Sequence, residues 1–393
     1  MATACFYFQV HQPHRLRRYS VFDAHHDYFD TPRNDQILRS VAQKCYLPVT
    51  ELLLRLVQRH EGRLRLAFSL TGSVIEQMLR LTPEVIERFQ ALADTGCCEF
   101  LAETYYHSLA FLYDREEFLE QVDLHAELID ELFNQAPVVF RNTELIYAND
   151  LADYLSTTGR YRGILAEGVD DLLKGRPPSQ LYHPPNHDEV TLLLKNYRLS
   201  DDIAFRFSDR SWNQWPLTAD HYAETLHNID GQVCNLFIDI ETFGEHQWRD
   251  TGIFQFLEAL PGEVLKRGDQ FLTPSEVIDA FPPTEVYDAP RATSWADTER
   301  DLSAWVGNAM QSSALQELFK LQEKVKASGD EDILHDWRKL TCSDHFYYMC
   351  TKYFSDAEVH KYFNPYESPY DSYINFMNVL DNLRSRLEAV KAK

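Results

Sequence analysis

The chain has 393 residues, 44% hydrophobic and 25% charged, a globular composition that disfavours disorder and fibrous structure. Its 38 Lys and Arg against 61 Asp and Glu leave a net charge of −23 with no basic stripe, which argues against a nucleic-acid partner. The length suits one large α/β unit with an appendage, or two medium domains.

In chain order, Cys5–Val10 reads as a buried strand and Gln36–His60 as a helix with Leu52, Leu53, Leu56 and Val57 on one face. Arg65–Ser69 is a second strand, and Thr82-Pro83-Glu84 opens a helix. Cys98–Ala102 is a third strand, followed by a long helix over Glu116–Phe133. Val138–Asn142, Arg162–Ala166, Val190–Leu194, Ile203–Phe207 and Val233–Ile240 read as further strands. The Pro-rich, polar segment Gly175–Glu189 is a long loop. Thr273-Pro274-Ser275-Glu276 carries a capping box. Nearly all-apolar strands alternating with helices predict a parallel sheet covered on both faces, as a closed barrel or an open doubly wound sheet. Beyond Phe281–Arg291 only helical periods remain, so a barrel-like domain over residues 1–290 and a helical region over 291–393 are expected.

The seven cysteines are odd in number and show no CxxC spacing, so reduced, buried thiols are expected. No signal peptide and no apolar run of transmembrane length is read, which predicts a soluble cytoplasmic protein without a membrane partner. Aromatic residues make up 13% of the chain, from a large core or from a cleft lined with flat rings.

Phosphate-cradling glycine motifs, the GxSxG elbow and the HExxH helix are not found. The chemistry-bearing residues gather instead where predicted strands end, which is where parallel barrels build their sites. Strand one ends at His11-Gln12-Pro13-His14, and strand two runs toward Thr71-Gly72-Ser73 and Glu76. Strand three leads into Glu103, Tyr105, Tyr106 and His107. Strand four delivers Glu144, with Arg141 close in sequence as a cation to hold it ionised. Each of these has a blander reading as a loop, cap or surface residue. The strongest local signal is Asp239-Ile240-Glu241. In a strand, both carboxylates point to the same face, and there a raised pKa suits a general acid. Two carboxyl groups from different strands, with histidines and rings nearby, suit glycosidic bond cleavage.

In this order the residues resemble glycoside hydrolase family 57, within it the α-amylase group. His11-Gln12-Pro13, Thr71–Glu76, Arg141–Leu145, Asp239–Gly244 and Ser294–Trp305 match its five motifs, and Ser200–Ser208 and Ser343–Met349 also look alike. The resemblance implies an incomplete (β/α)7 barrel with a C-terminal helical region closing one side of the cleft. It implies a retaining mechanism on α-glucans with neither cofactor nor metal in the chemistry. Glu144 would be the nucleophile and Asp239 the acid/base. His11, Glu76 and His246 would hold sugar hydroxyls, while Trp295, Trp305 and Asp344 would shape the cleft from the helical side. Glu103, His107, Glu241, Trp248 and Asp301 complete the expected substrate-binding set, with Trp248, Trp295 and Trp305 as candidate stacking rings. Gln9 stands where many members carry histidine. Retention implies a carboxyl separation of about 5–5.5 Å.

An α-amylase acting on α-1,4 bonds of starch, glycogen or maltodextrin is the first expectation. A 4-α-glucanotransferase shares the fold and differs in making longer oligosaccharides. A metal-dependent deacetylase would use Asp239 with His11, His107 and His246, and would be sensitive to EDTA. A glucan-binding protein would bind without cleaving.

Overall fold

The fold is taken from a computed structural model that describes residues 1–352 and 364–391. The strands are β1 (Thr3–Val10), β2 (Leu66–Leu70), β3 (Cys98–Phe100), β4 (Val139–Arg141), β5 (Gly163–Glu167), β6 (Tyr182–His183), β7 (Thr191–Lys195), β8 (Val233–Asp239), β9 (Gln270–Phe271) and β10 (Glu285–Val286). Parallel pairing runs β3–β2–β1–β8–β7–β5–β4. A parallel bridge between Ala102 and Phe140 brings β3 to β4. The β7–β8 seam is a single register pair, Lys195 with Asn235. The expected incomplete barrel of parallel strands and helices is therefore present. Among the described residues no helix is long and apolar enough to cross a membrane.

Successive strand residues face opposite sides, so the barrel interior can be read in steps of two. One residue from each of seven strands, or its extension, forms an apolar layer: Tyr7, Ala67, Leu101, Val139, Leu165, Leu193 and Phe237. Two residues further along each, the layer above is Gln9, Ser69, Glu103, Arg141, Glu167, Lys195 and Asp239. All seven are polar. Such a ring is costly inside a barrel unless it pairs internally or faces a cleft. The apolar layer seals the barrel below it, so the ring becomes the floor of the site.

The predicted helix over Gln36–His60 is two helices, Thr31–Val41 and Leu47–Arg59, joined by a wider π turn over Ala42–Tyr46. Pro48 has no N–H to return to the Lys44 carbonyl. Gly244, at φ 112°, packs onto that carbonyl, where an added Cβ would lie 2.1 Å from the oxygen. The turn also aims Cys45 Sγ at the Ile240 carbonyl, 3.1 Å away. It thereby ties the helix to the segment after β8.

Two strand expectations are corrected. Ile203–Phe207 is not a strand: Tyr197–Ala204 is a helix, capped by Asn196 Oδ1 accepting from Leu199 N at 3.2 Å. A short apolar alternation has the same pattern in either state, and the cap decided it. Within the loop over Gly175–Glu189, β6 forms and pairs antiparallel with β7.

Helices at Ser303–Val306, Ala309–Phe319, Gln322–Ser328, Glu331–Leu340, Ser343–Tyr347 and Pro369–Lys391 follow the last strand. They build their own core around Leu315, Leu318, Trp337, Phe346, Phe376 and Leu383, into which the loop after β1 inserts Leu16, Tyr19, Tyr28 and Phe29. Residues 353–363 and 392–393 of the expected helical region lie outside the described residues.

Candidate active site

A cleft opens above the polar ring, lined among others by Gln9, His11, His107, Glu144, Asp239, Glu241, His246, Trp295 and Asp344. Glu144 follows β4 on a short 3₁₀ turn over Thr143–Leu145. Its φ is 57° and that of Leu145 is 49°, two consecutive residues in the left-handed region. Such conformations cost about 1–2 kcal/mol per non-glycine residue and persist where the surroundings over-determine them.

Those surroundings are donors converging on the carboxylate. Trp295 Nε1 donates to Oε2 at 2.7 Å, and Ser343 Oγ donates to Oε1 at 2.7 Å. His107 Nε2 stands 3.3 Å from Oε1. Burial alone would raise the Glu144 pKa, but the His107 hydrogen bond and charge outweigh it and hold the group at about 2. Glu144 is thus a buried anion at neutral pH.

His107 is shared. Its Nδ1 stands 3.4 Å from Glu103 Oε2, and Glu103 also accepts from Ser69 Oγ at 2.7 Å and from Arg141 Nη1 at 3.3 Å. Burial lowers the His107 pKa, yet the bonds to Glu103 and Glu144 outweigh this and lift it to about 9. The sequence assigned Arg141 to Glu144, and the fold corrects this: Arg141 pairs with Glu103, and His107 is the cation in contact with Glu144. Arg141 does contribute its charge from below, with its guanidinium 5.2 Å from the Phe237 ring centroid.

The shift has a consequence for stability. A histidine raised in the folded state from 6.5 to about 9 contributes stability that is complete below pH 6.5 and lost as pH rises through about 9. Thermal unfolding should therefore show a midpoint that declines across that window, with a smaller decline in His107→Gln. Equal declines in the two proteins would remove His107 as the cause.

Opposite these groups, β8 ends at Asp239, and Ile240–Thr242 turns as a short 3₁₀ segment. Asp239 and Glu241 therefore do not share a strand face as expected, although both reach the cleft. Glu241 Oε1 accepts from Tyr46 OH at 2.5 Å, and burial together with the Asp239 carboxylate raises its pKa. A protonated Glu241 beside Asp239 leaves one negative charge on the pair.

His11 carries Thr71 Oγ1 on Nδ1 at 2.9 Å and Asp344 Oδ2 on Nε2 at 3.0 Å, and stacks on His107 with centroids 4.1 Å apart. Burial, then the His107 charge, lowers its pKa, so His11 is neutral.

The other expected contacts divide. Glu103 is wholly buried beneath His107 and acts through it. Glu76 does not line the cleft: it lies with His14 at 3.5 Å, Tyr105 OH at 3.0 Å and His335 at 3.9 Å. Trp305 is 1% exposed in the helical core, so its assignment as a stacking ring is corrected. Asp301 caps Ser303 N at 2.8 Å and is not among the lining residues. Trp248 is 59% exposed beyond the lining set. Trp295 is less a platform than a support, with its N–H on Glu144 and its ring 5.0 Å from that of Phe237. Trp295→Phe keeps an aromatic ring, though a smaller one, and removes the N–H. Its kcat should fall about 10- to 100-fold, the worth of one hydrogen bond to a charged group, and an unchanged kcat would refute the supporting role.

Sequence reasoning missed Ser343, Thr71, Tyr46 and Gln12. Tyr46 and Gln12 both reach Glu241. Ser343, Thr71 and Gln12 each stand within a matched motif but were given no role, and Tyr46 carried no signal. The polar ring was missed too, although a two-residue offset in every strand spells it out. The donor set expected of a deacetylase does not assemble. Among the described residues the group close enough to hold a metal is His11, Cys342 and Asp344, without Asp239.

A second hollow adjoins the first through Asp239 and Trp295, and Lys195, Asp201 and Arg300 line it. Lys195 Nζ lies 3.5 Å from Glu167 and 5.1 Å from the Trp295 ring centroid.

The fold is shared with enzymes of known structure. A branching enzyme from Thermococcus kodakaraensis superposes with a TM-score of 0.71 at 12% identity, over 98% of this chain and 90% of that one. An α-amylase from Thermotoga maritima gives 0.62 at 14% identity, over 100% and 96%. A 4-α-glucanotransferase from Thermococcus litoralis gives 0.60 at 16% identity over 88% of this chain, which spans half the length of that protein. In sequence, a Methanocaldococcus jannaschii protein named "Putative alpha-amylase" is 41% identical over 99% of this chain and 85% of its own length. The model of the family described as Glycosyl hydrolase family 57 matches residues 5–290. The chain therefore belongs to glycosyl hydrolase family 57, as its motif order implied.

Proposed function

We propose that the protein is a retaining α-glucan hydrolase of the α-amylase type that cleaves α-1,4 bonds by double displacement. The observation that carries this reading is Glu144, a buried carboxylate held ionised by three donors and facing the Asp239–Glu241 pair across one cleft. An anion with oriented lone pairs is what attack on an anomeric carbon needs. The carbon–oxygen bond breaks as the Glu144 ester forms, and the single proton held by the Asp239–Glu241 pair passes through Asp239 to the leaving glucosyl oxygen. Asp239 then takes a proton from water, which displaces Glu144 and restores the α-configuration. The two hollows that meet at Asp239 and Trp295 suit a chain that continues on both sides of the scissile bond. Rings and neutral hydrogen-bonding groups at the site suit an uncharged ligand. The seven cysteines are buried and free, which supports a reducing, cytoplasmic setting.

The test is product-resolved cleavage of maltotriose and starch. Glucose and maltose are expected, with the newly formed reducing end released first in the α-configuration. Longer oligosaccharides would make the enzyme a glucanotransferase, and a β-configuration at the newly formed reducing end would overturn retention.

A further inference from the structure

We propose that His11, Cys342 and Asp344 form a binding site for a soft divalent cation such as zinc, and that the bound ion shuts the cleft to sugar. Their ligand atoms all lie within 4.8 Å of one another. Individually, His11 Nε2 is 3.0 Å from Asp344 Oδ2, Cys342 Sγ is 3.3 Å from that oxygen, and Sγ is 3.7 Å from Nε2. Tetrahedral zinc, with bonds of about 2.0–2.3 Å to nitrogen, oxygen and sulfur, requires donor–donor edges of about 3.3–3.6 Å. The three atoms thus already stand within a few tenths of an ångström of that face.

Three features favour an ion over an incidental contact. The donor set of one imidazole, one thiol and one carboxylate selects zinc over magnesium or calcium, which prefer oxygen alone. Thr71 Oγ1 occupies the other nitrogen of His11 and fixes the ring, as outer partners of metal-bound histidines do. His11 and Asp344 line the cleft, so the fourth position opens toward Glu144 and Asp239. Two features oppose it: the His107 ring, stacked on His11, is cationic, and burial and then the Asp344 charge push the Cys342 thiol well above its ordinary pKa. The carboxylate of Asp344 and the thiolate of Cys342 supply two negative charges against the His107 cation. The thiol proton leaves to solvent when sulfur binds the ion.

The ion plays no part in bond cleavage. It occupies the corner where His11 and Asp344 would meet a sugar, so zinc competes with glucan. That consequence rests on the glucan-cleaving reading, whereas ion binding does not.

The experiment is titration of the reduced full-length protein with cobalt(II), an optical stand-in for zinc. One equivalent should produce a near-ultraviolet thiolate-to-cobalt band, which zinc abolishes. The band should vanish in Cys342→Ser and persist in Cys350→Ser, a control thiol outside the cluster. Absence of the band in the unsubstituted protein overturns the site without recourse to any variant. On maltooligosaccharide, the zinc concentration for half-inhibition should rise with substrate concentration. In Cys342→Ala, scored against its own zinc-free rate, it should rise at least about tenfold. Equal zinc sensitivity in Cys342→Ala overturns the proposed shut-off. A band in a protein that cleaves no glucan leaves the ion site standing and removes the function.

Discussion

Glu144→Gln should lower kcat on maltooligosaccharides by at least about 10⁴-fold, because the substitution removes the attacking anion itself. The site is built around that anion. Ser343 Oγ, Trp295 Nε1 and His107 all direct toward its two oxygens, so a glutamine NH2 must face one donor with another. A mismatch of this kind costs about 1–3 kcal/mol in stability, and the melting temperature should fall with it. His107 loses one of its two carboxylate partners, so its pKa should move down from about 9, readable by titrating its imidazole resonances. The three readouts separate the roles. A folded variant with lowered His107 pKa and wild-type turnover would remove Glu144 from the chemistry while confirming the ion pair.

Asp239→Asn should reduce kcat on maltooligosaccharides by about 10²–10⁴-fold, the range for removal of a general acid. The diagnostic feature is dependence on the leaving group. An aryl glucoside with an acidic phenol departs without protonation, so formation of the Glu144 ester on that substrate should be nearly unimpaired. Its breakdown still needs a base, so the ester should accumulate and appear as a burst of phenol. A uniform loss on both substrates, without a burst, would make Asp239 a binding residue. The raised pKa of Glu241, set by burial and then by the Asp239 carboxylate, matters here as well. With Asp239 neutralised, Glu241 should ionise at lower pH, and the pH profile of the residual rate should shift accordingly.

Much of the barrel was legible because buried parallel strands are marked locally. The apolar runs at Cys5–Val10 and Val233–Ile240 became β1 and β8, differing by two residues at the start of the first and one at the end of the second. Ile203–Phe207 failed because five residues of mixed apolar character fit a helix as well as a strand, and the Asn196 cap lies outside the run. The site was legible where strand ends deliver residues. Glu144, Asp239, His11 and His107 were all named from their positions, and all line one cleft.

Partnership was another matter, since contacts between residues hundreds of positions apart leave no local trace. Ser343 donates to Glu144 across 199 residues, and Asp344 meets His11 across 333. Trp295 and Trp305 looked equivalent, ten residues apart with like neighbours, yet one supports the nucleophile and the other lies sealed in the helical core. The sequence by itself determined the alternation of buried parallel strands with helices and which carboxylates stand at strand ends, because periodicity and strand ends are local properties of the chain, while the barrel form was implied only by the resemblance of the ordered motifs. Only the tertiary structure decided which cation faces Glu144, which carboxyl of the Asp239–Glu241 pair is driven toward its protonated form, and which thiol shares a corner with His11. Those depend on burial and on distances of a few ångströms, to which electrostatic energy is acutely sensitive and local sequence is blind.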